Sequence, residues 1–423
     1  MERTDTVVIV GAGAAGAMAA LHAAGPGRRV LLLERTPNGG RKILISGGGR
    51  CNVLPSRAEP SQFVTASSPN TLRKMLLSWP LADQRRFFEE TLGVPLALEA
   101  ETGKLFPVSN RARDVRDGLY RLARERGVEI RFGVKVADVR PEAAGGWSVL
   151  VEDEAPIAAA AVILATGGLS VPASGSDGIG LGIAKRLGHE VHPTYPALTP
   201  LTADPPRHAE LAGVSLDVAI EAPTPRGRFT TRGGFLFTHR GYSGPSVLDV
   251  SHLAVLSRRD GGARQPLLLR WTELDAEAWD ALFQEGGPGT VAPLVRRRLP
   301  ARLADALIAE AGVEPSRPLA ELRRDEREQL VEALARFPLP WTGDEGYKKA
   351  EVTGGGVALS EVDPKTLESR RHPGLFLCGE MLDAFGPIGG YNFLWGWATG
   401  RAAGLGAAGR LGPAARPRGN STL

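Results

Sequence analysis

The chain has 423 residues, of which 43% are hydrophobic and 23% are charged, and its formal net charge at pH 7 is +4. This composition is typical of a soluble globular protein with two or three domains. No apolar run approaches the roughly 20 residues that a membrane-spanning helix needs, and the first strand begins too early for a signal peptide. We therefore expect a cytoplasmic protein that does not bind membranes.

The cysteine and arginine patterns exclude further classes. Cys51 and Cys378 form no CxxC pair, which argues against a disulfide scaffold and against a dithiol redox centre. Arginine clusters such as residues 296–298 are interspersed with acids and lack interleaved aromatic residues, so they indicate solvated helix faces. We expect a small-molecule substrate, no nucleic-acid partner and no metal site.

A strand, a glycine turn and a helix open the chain. Residues 7–10 are an apolar run typical of a buried parallel strand, and residues 17–24 have the composition of a helix. Between them, Gly11 allows a tight turn, Gly13 lets the backbone approach a pyrophosphate, and Gly16 lets the helix pack closely on the strand. The pattern predicts a dinucleotide site, with an unliganded glycine turn as the alternative.

The second strand supports this prediction. Residues 29–34 are mostly apolar and end in Glu34, which follows Gly16 by 18 residues. An acid at this place accepts hydrogen bonds from the adenosine ribose, and it would repel a phosphate there. The site should therefore prefer FAD or NAD over NADP.

A glycine-rich segment follows at residues 37–52. It contains five glycines together with Arg41, Lys42 and Arg50. Glycine backbone can fold around a ring or a phosphate, and its amides can stabilise negative charge. We predict a loop that neutralises the pyrophosphate and faces the N5 and N1–C2=O edges of a flavin. A flexible surface loop is the alternative, which the apolar run at 43–45 disfavours.

The remaining elements of the first region are helices over 70–92 and 110–126 and a group of strands. We predict strands at residues 128–132, 134–140, 147–151 and 161–165, with a strand-end residue, Val136, receiving the adenine edge. Thr166 and the glycines that follow it should return to the dinucleotide near its phosphates.

Five prolines between residues 193 and 206 indicate a domain boundary near residue 192. Short strands and turns over 193–271 predict a small β-barrel or sandwich, and the helical period over 272–342 predicts a compact helical insert. The flavin-type pattern resumes at 343 with a strand ending in Glu380, a glycine turn and a helix over 393–404. The tail from about residue 411 should fray.

Four separated motifs carry a family resemblance. They are residues 40–52 (GRKILISGGGRCN), 236–248 (LFTHRGYSGPSVL), 352–357 (VTGGGV), and 378–380 (CGE) with 386–392 (GPIGGYN). In this order they resemble the BaiN/YhiN-like (HI0933-type) flavoproteins, also known as NAD(P)/FAD-dependent or aminoacetone-oxidase-like enzymes. The resemblance implies an α/β fold: a glutathione-reductase-type, Rossmann-like FAD domain (1–192 and 343–423) interrupted by the barrel (193–271) and the helical insert (272–342).

The resemblance also implies FAD and, together with the motifs above, a set of cofactor-binding residues. Because no histidine lies between His22 and His189, we expect the FAD to be non-covalent. The predicted set is Gly11, Gly13, Ala14, Ala15, Gly16, Glu34, Arg35, Arg41, Lys42, Ser46, Gly47, Gly48, Gly49, Arg50, Cys51, Asn52, Val136, Ala165, Thr166, Gly167, Gly168, Gly379, Glu380, Gly389, Gly390, Tyr391 and Asn392.

The predicted function is an FAD-dependent oxidoreductase that transfers hydride between flavin N5 and a small organic molecule. Reduction of a conjugated C=C bond is one candidate, because one branch of the family is assigned that reaction on oxidised bile acids. His239, Tyr242 and Tyr391 are the candidate catalytic proton donors, each with a structural role as the alternative. Only one GxGxxG follows a strand and opens a helix, so NAD(P)H would act as a transient reductant. A flavin-dependent tRNA-modifying enzyme and a non-catalytic flavin sensor are the competing functions.

Overall fold

The computed structural model describes residues 5–225, 227–259 and 261–411. The chain divides into two compact units, one formed by residues 1–194 with 352–423 and the other by residues 195–351. The predicted frayed tail beyond residue 411 lies outside the described residues. In the described ranges, no helix is both long and apolar enough to cross a bilayer.

The strands, in chain order, are β1 (Thr6–Val10), β2 (Arg29–Glu34), β3 (Leu54–Pro55), β4 (Leu96–Glu99), β5 (Lys104–Pro107), β6 (Val128–Phe132), β7 (Val136–Pro141), β8 (Trp147–Val151), β9 (Ile157–Ala159), β10 (Ala161–Leu164), β11 (Val191–Ala197), β12 (Leu201–Thr202), β13 (Ser215–Thr224), β14 (Gly227–Thr238), β15 (Gly241–Ser243), β16 (Leu268–Arg270), β17 (Phe337–Pro338), β18 (Gly343–Asp344), β19 (Val352–Val357) and β20 (Leu375–Leu377).

The helices are α1 (Ala14–Ala23), α2 (Arg41–Gly49), α3 (Pro69–Leu76), α4 (Leu81–Arg86), α5 (Ala112–Glu125), α6 (Ile179–Arg186), α7 (Pro245–Arg259), α8 (Ala276–Gln284), α9 (Val291–Arg296), α10 (Ala301–Glu310), α11 (Arg324–Ala335) and α12 (Tyr391–Leu411). The single helix predicted over 70–92 is wrong, because Pro80 lies between α3 and α4 and cannot donate a helical hydrogen bond.

A five-stranded parallel sheet, in the order β20–β10–β1–β2–β6, forms the centre of the first unit. All residues of β1 and β10 are buried, as expected for parallel strands covered on both faces. The carboxyl ends of β1 and β10 and the start of α1 come together here. This Rossmann-type arrangement positions the candidate site.

Small residues allow α12 to lie against α1. A Cβ at Gly400 would overlap the carbonyl of Ala15, and one at Gly404 would overlap the carbonyl of Ala19. Gly396 lies beside Ala14 in the same way, with 3.6 Å between its would-be Cβ and the Ala14 Cβ. The two helices therefore run in the same direction, with the start of α1 beside the second and third turns of α12.

The second unit is built on a sheet of seven strands in the order β17–β16–β13–β14–β15–β12–β18. The described strand pairings leave β17 and β18 as the two edges of this sheet, so the predicted β-barrel is not confirmed. Helix α7 lies inside the segment predicted as strands and turns, and it packs against β14 and β13. One apolar core joins the sheet to α8, α9, α10 and α11.

Candidate flavin-binding site

The first glycine turn has the geometry that a dinucleotide fingerprint needs. Gly11 has φ of 101°, and its N–H donates to the Leu33 carbonyl at 2.8 Å. A Cβ at Gly16 would overlap the Gly11 carbonyl, whereas a Cβ at Gly13 would meet nothing within 4 Å. The first amides of α1 have no acceptor within the helix, so the open side of Gly13 leaves them accessible to a phosphate.

Glu34 is held rigidly at the end of β2. The side chain is 8% exposed. Its Oε2 accepts the Ala12 N–H at 2.9 Å, and its Oε1 accepts the Thr36 N–H at 2.8 Å and the Thr36 hydroxyl at 2.7 Å. A carboxylate has about four acceptor positions, so one remains for a ribose hydroxyl. The neighbouring Arg35 forms an ion pair with Asp177.

The segment predicted as a glycine loop is partly helical, which corrects the prediction. Helix α2 begins after Gly40, whose φ is 59°, and it is broken at Ser46, Gly47 and Gly48, which have non-helical dihedrals. Ile43 is fully buried, so the apolar run anchors a helical turn against the core. The glycines at positions 47–49 are exposed and remain available to a ligand.

The residues after this break contribute one buried acceptor and one inert thiol. The Asn52 side chain is 8% exposed, and its Oδ1 has no hydrogen-bond partner in the described protein. Burial raises the pKa of Cys51 to about 12, so its thiol stays protonated at neutral pH and is a poor nucleophile. The Arg41 guanidinium donates to the Ala173 carbonyl at 2.6 Å.

The Arg50 side chain is directed to protein partners. Its Nη1 lies 3.0 Å from Glu99 Oε1, and its guanidinium stacks 3.9 Å from the centroid of the Phe106 ring. The predicted interaction of Arg50 with reduced flavin remains a prediction.

A network around Glu380 links four distant parts of the first unit. Lys42 Nζ donates to Glu380 Oε2 at 2.6 Å and to Ser170 Oγ at 2.5 Å, and Ser170 Oγ donates to Glu380 Oε1 at 2.6 Å. The Thr353 N–H completes the set by donating to Glu380 Oε1 at 3.1 Å. Lys42 and Glu380 were predicted site residues, whereas Ser170 and Thr353 were missed. The available signal was that Ser170 follows the Thr-Gly-Gly motif by two residues and that Thr353 lies inside the Val-Thr-Gly-Gly-Gly motif.

The turn after β10 offers a second buried polar atom. Thr166 Oγ1 is buried without a hydrogen-bond partner in the described protein, and Gly180 of α6 approaches it so closely that no Cβ would fit. Gly167 has φ of 74°. Gly168 lacks room for a side chain because Thr353 and Glu380 lie against it. Ala165 precedes this turn, and its carbonyl lies against Gly11.

The C-terminal glycine turn opens α12. Gly389 and Gly390 have φ of 127° and 93°, which favours glycine at both positions. The Asn392 side chain closes the turn by accepting the Gly386 N–H at 2.9 Å and donating to the Gly386 carbonyl at 3.0 Å. The Tyr391 hydroxyl accepts from Gln62 Nε2 at 3.0 Å. Gly379, with φ of 78°, donates its N–H to Thr399 Oγ1 at 3.0 Å.

The residue predicted to contact the adenine lies on another strand, β7. Val136 is the first residue of β7, is 6% exposed, and pairs with Val151. Its role toward adenine stays a prediction.

Two of the candidate proton donors lie in the second unit. His239 is exposed in the turn between β14 and β15. Tyr242 is completely buried, and its hydroxyl lies 2.8 Å from Nδ1 of His208. Burial raises the pKa of Tyr242 above its usual value, and its hydroxyl faces His208 inside the core. The structure therefore favours the packing role of Tyr242, because its ring packs with those of Phe235 and Phe237 on the core side of the sheet.

The sequence did not reveal the partners of Tyr242. His208 Nε2 lies 2.6 Å from Glu310 Oε1, and the Tyr242 hydroxyl lies on the other ring nitrogen. His208 is 5% exposed. The three side chains form a continuous polar chain through the core of the second unit, and neither His208 nor Glu310 lies in a recognised motif.

The described residues fit FAD. The space beside Gly13 is open, next to the first amides of α1, and Glu34 has an unused acceptor position. In the described protein, Thr166 Oγ1 and Asn52 Oδ1 are buried without hydrogen-bond partners. Buried polar atoms are ordinarily hydrogen-bonded, so the two orphaned oxygens are the atoms a polar ligand would satisfy. In the same described residues, no cluster of three His, Cys, Asp or Glu side chains could hold a metal ion.

The fold and this site define a Rossmann-type FAD-binding enzyme. The sequence matches the family described as HI0933-like protein Rossmann domain over residues 5–406, and the chain belongs to this family. The match confirms the resemblance derived from the four motifs. The protein is an FAD-dependent oxidoreductase.

Two curated relatives match over nearly their whole length. The ribosomal RNA dihydrouridine synthase of Escherichia coli K12 is 33% identical over 404 residues, covering 94% of this chain and 96% of that protein. The 3-dehydro-bile acid delta(4,6)-reductase of Clostridium scindens is 32% identical over 413 residues, covering 96% and 100%. A solved quinol-fumarate reductase with menaquinol is 16% identical with a TM-score of 0.51, covering 97% of this chain and 72% of that one, and it shares the fold.

Proposed function

We propose that this enzyme reduces a carbon–carbon double bond conjugated with a carbonyl group. The observation that carries the proposal is that the names of two relatives both describe reduction of a carbon–carbon double bond conjugated with a carbonyl group. A dihydrouridine synthase saturates the C5=C6 bond of uridine, which is conjugated with the C4 carbonyl. A delta(4,6)-reductase of a 3-dehydro compound acts on double bonds conjugated with the 3-keto group. Both relatives span more than 90% of this chain.

The site supports this proposal through the residues that would hold FAD. We assign Gly11, Gly13 and the first amides of α1 to the pyrophosphate and Glu34 to the ribose. The buried oxygens of Thr166 and Asn52 would contact further polar atoms of the cofactor, and Glu380 would hold Lys42 beside it. When bound, FAD supplies the hydride chemistry itself. The chain contributes orientation, electrostatics and a proton for the second carbon.

The reductant in this proposal is NAD(P)H. The only GxGxxG that follows a strand and opens a helix in this sequence is the one at Gly11. NAD(P)H would therefore dock transiently and leave, and the substrate would bind after it.

RNA is a second substrate candidate, and one further observation favours it. Residues 35–74 contain seven Arg or Lys residues but only one acid, Glu59. Arg57, Arg73 and Lys74 are exposed and could contact phosphates. Two relatives, at 33% and 31% identity, are named ribosomal RNA dihydrouridine synthase. The proposed bond chemistry is the same for both substrate classes.

An anaerobic half-reaction assay tests the proposal. NADH or NADPH should bleach the bound flavin, and 2-cyclohexenone or ribosomal RNA prepared without dihydrouridine should restore the oxidised spectrum. Mass spectrometry should show a gain of two hydrogens in the reacting molecule. A flavin that no nicotinamide reduces would contradict the assigned donor. A reduced flavin that neither acceptor oxidises would contradict the assigned reaction.

A further inference from the structure

The ammonium of Lys42 lies in a closed hydrogen-bonded ring at the candidate flavin site. Lys42 contacts both Glu380 and Ser170, and Ser170 also contacts Glu380, with the three distances between 2.5 and 2.6 Å. The three side chains come from sequence positions up to 338 residues apart. The fold, and not the local sequence, therefore brings these side chains together around Lys42.

Thr353 holds the ring from its buried side. Thr353 Oγ1 accepts the Ser170 N–H at 3.1 Å and the Leu169 N–H at 2.7 Å, and the Thr353 N–H donates to Glu380. Ser170 is 0% and Thr353 is 1% exposed. Because Ser170 and Glu380 are fixed in this way, the position of the Lys42 ammonium is fixed as well.

One face of the Lys42 ammonium remains open. An ammonium has three N–H donors, and the described contacts use two of them. The Lys42 side chain is 26% exposed, so the third donor can reach a bound molecule. The Glu380 carboxylate balances the positive charge on the other side.

We propose that Lys42 donates the proton that completes reduction of the conjugated double bond, with Ser170 and Glu380 as positioning residues. This inference rests on the proposed function. Hydride from the reduced cofactor forms a C–H bond at the β-carbon, and the π electrons move to form an enolate. A Lys42 N–H bond then breaks, a C–H bond forms at the α-carbon, and the amine recovers a proton from water. NAD(P)H supplies the two electrons for the next cycle.

The other candidate donors are less suited to this step. Tyr242 is completely buried and hydrogen-bonded to His208. His239 lies on an exposed turn. The Tyr391 hydroxyl is tied to an exposed side chain, because it accepts a hydrogen bond from Gln62 Nε2. Lys42 combines a fixed position, a positive charge and an available N–H.

The test separates proton donation from charge. The experiment compares wild type with K42R, K42Q and the control K185Q, which replaces an exposed lysine on α6. Each protein is reduced photochemically under anaerobic conditions. They are then mixed with 2-cyclohexenone and, separately, with ribosomal RNA prepared without dihydrouridine. Arginine keeps the positive charge but does not release a proton at neutral pH. We expect K42R and K42Q to hold FAD and to reoxidise about 100-fold or more slowly, as is typical for loss of a general acid.

Three readouts decide the result. Wild type should show a slower reoxidation in D2O that K42R no longer shows, whereas K185Q should behave as wild type. A K42R variant that reoxidises at the wild-type rate would assign only a charge to Lys42 and overturn the inference. A K42R variant without FAD, seen in its absorbance spectrum, would overturn it in favour of cofactor binding. A wild-type flavin that neither acceptor reoxidises would instead contradict the proposed function, and the inference with it.

Discussion

Gly400 of α12 lies directly against the carbonyl of Ala15 in α1, so closely that no side chain fits between the two helices. This contact sets the first turn of α1 beside the third turn of α12. The glycine turns at positions 11–16 and 389–390 open these helices. We therefore expect a change at Gly400 to affect both helix packing and FAD binding.

Replacing Gly400 by leucine should destabilise the first unit and weaken FAD binding together. Overpacking a tight contact costs about 1–3 kcal/mol, occasionally more, and here the obstacle is backbone that cannot move aside. Chemical denaturation and FAD titration measure the two effects. Gly409→Ala is the matched control, since Gly409 lies on the same helix with nothing within 4 Å of its would-be Cβ. It should be stabilising by about 0.5–1 kcal/mol. Unchanged stability of G400L would refute this account of the packing.

Replacing Glu34 by glutamine should weaken FAD binding by about tenfold, equivalent to about 1.4 kcal/mol. The amide would present an N–H group to the donors of either Ala12 or Thr36, which now face carboxylate oxygens. Fluorescence titration of the apoprotein with FAD measures the affinity. Glu101→Gln, at an exposed position, serves as the control. Equal affinities for E34Q and wild type would remove Glu34 from the proposed cofactor site.

The Tyr242→Phe variant should lose stability but keep its turnover. Removal of the hydroxyl leaves the buried His208 Nδ1 without its partner, and an unsatisfied buried polar group costs about 1–3 kcal/mol. Urea denaturation and steady-state kinetics on the same preparation separate the two effects. His239→Ala, on the exposed turn, should change neither property. A large fall in kcat for Y242F with unchanged stability would restore Tyr242 as a catalytic candidate.

Acid should destabilise the second unit through His252. Burial lowers the pKa of this imidazole from 6.5 to about 4. Between these values the unfolded chain binds a proton that the folded chain does not, so stability falls as the pH drops through this window. The slope contributed by one such group is at most about 1.4 kcal/mol per pH unit.

His252→Phe should flatten the slope of unfolding free energy between pH 6.5 and 4, whereas His239→Phe on the exposed turn should not. Phenylalanine removes the titrating ring nitrogen and keeps a similar ring against Phe229, whose centroid lies 5.2 Å from that of His252. Denaturation curves recorded at half-unit pH intervals provide the measurement. An identical slope in H252F and wild type would assign the pH dependence to other groups.

The local elements of the flavin unit were accessible from sequence because each has a short-range cause. The apolar run at residues 7–10, the glycines at 11, 13 and 16, and the acid at 34 have fixed spacings that any such turn requires. The helical turn at 41–45 was missed, because the surrounding glycines favour a loop by propensity. Burial of Ile43 against the core overrides that propensity.

The sequence by itself determined the strand–turn–helix order of a dinucleotide fold, because local periodicity and glycine spacing carry that information without long-range contacts. The resemblance of the four motifs added the family and FAD. Only the tertiary structure decided which side chains meet. It brings Lys42 into contact with Ser170 and Glu380, which lie 128 and 338 residues further along the chain. It also buries Tyr242 in a core, in a polar chain with His208 and Glu310. These pairings depend on how strands from distant segments align in a sheet, and no local pattern encodes that alignment.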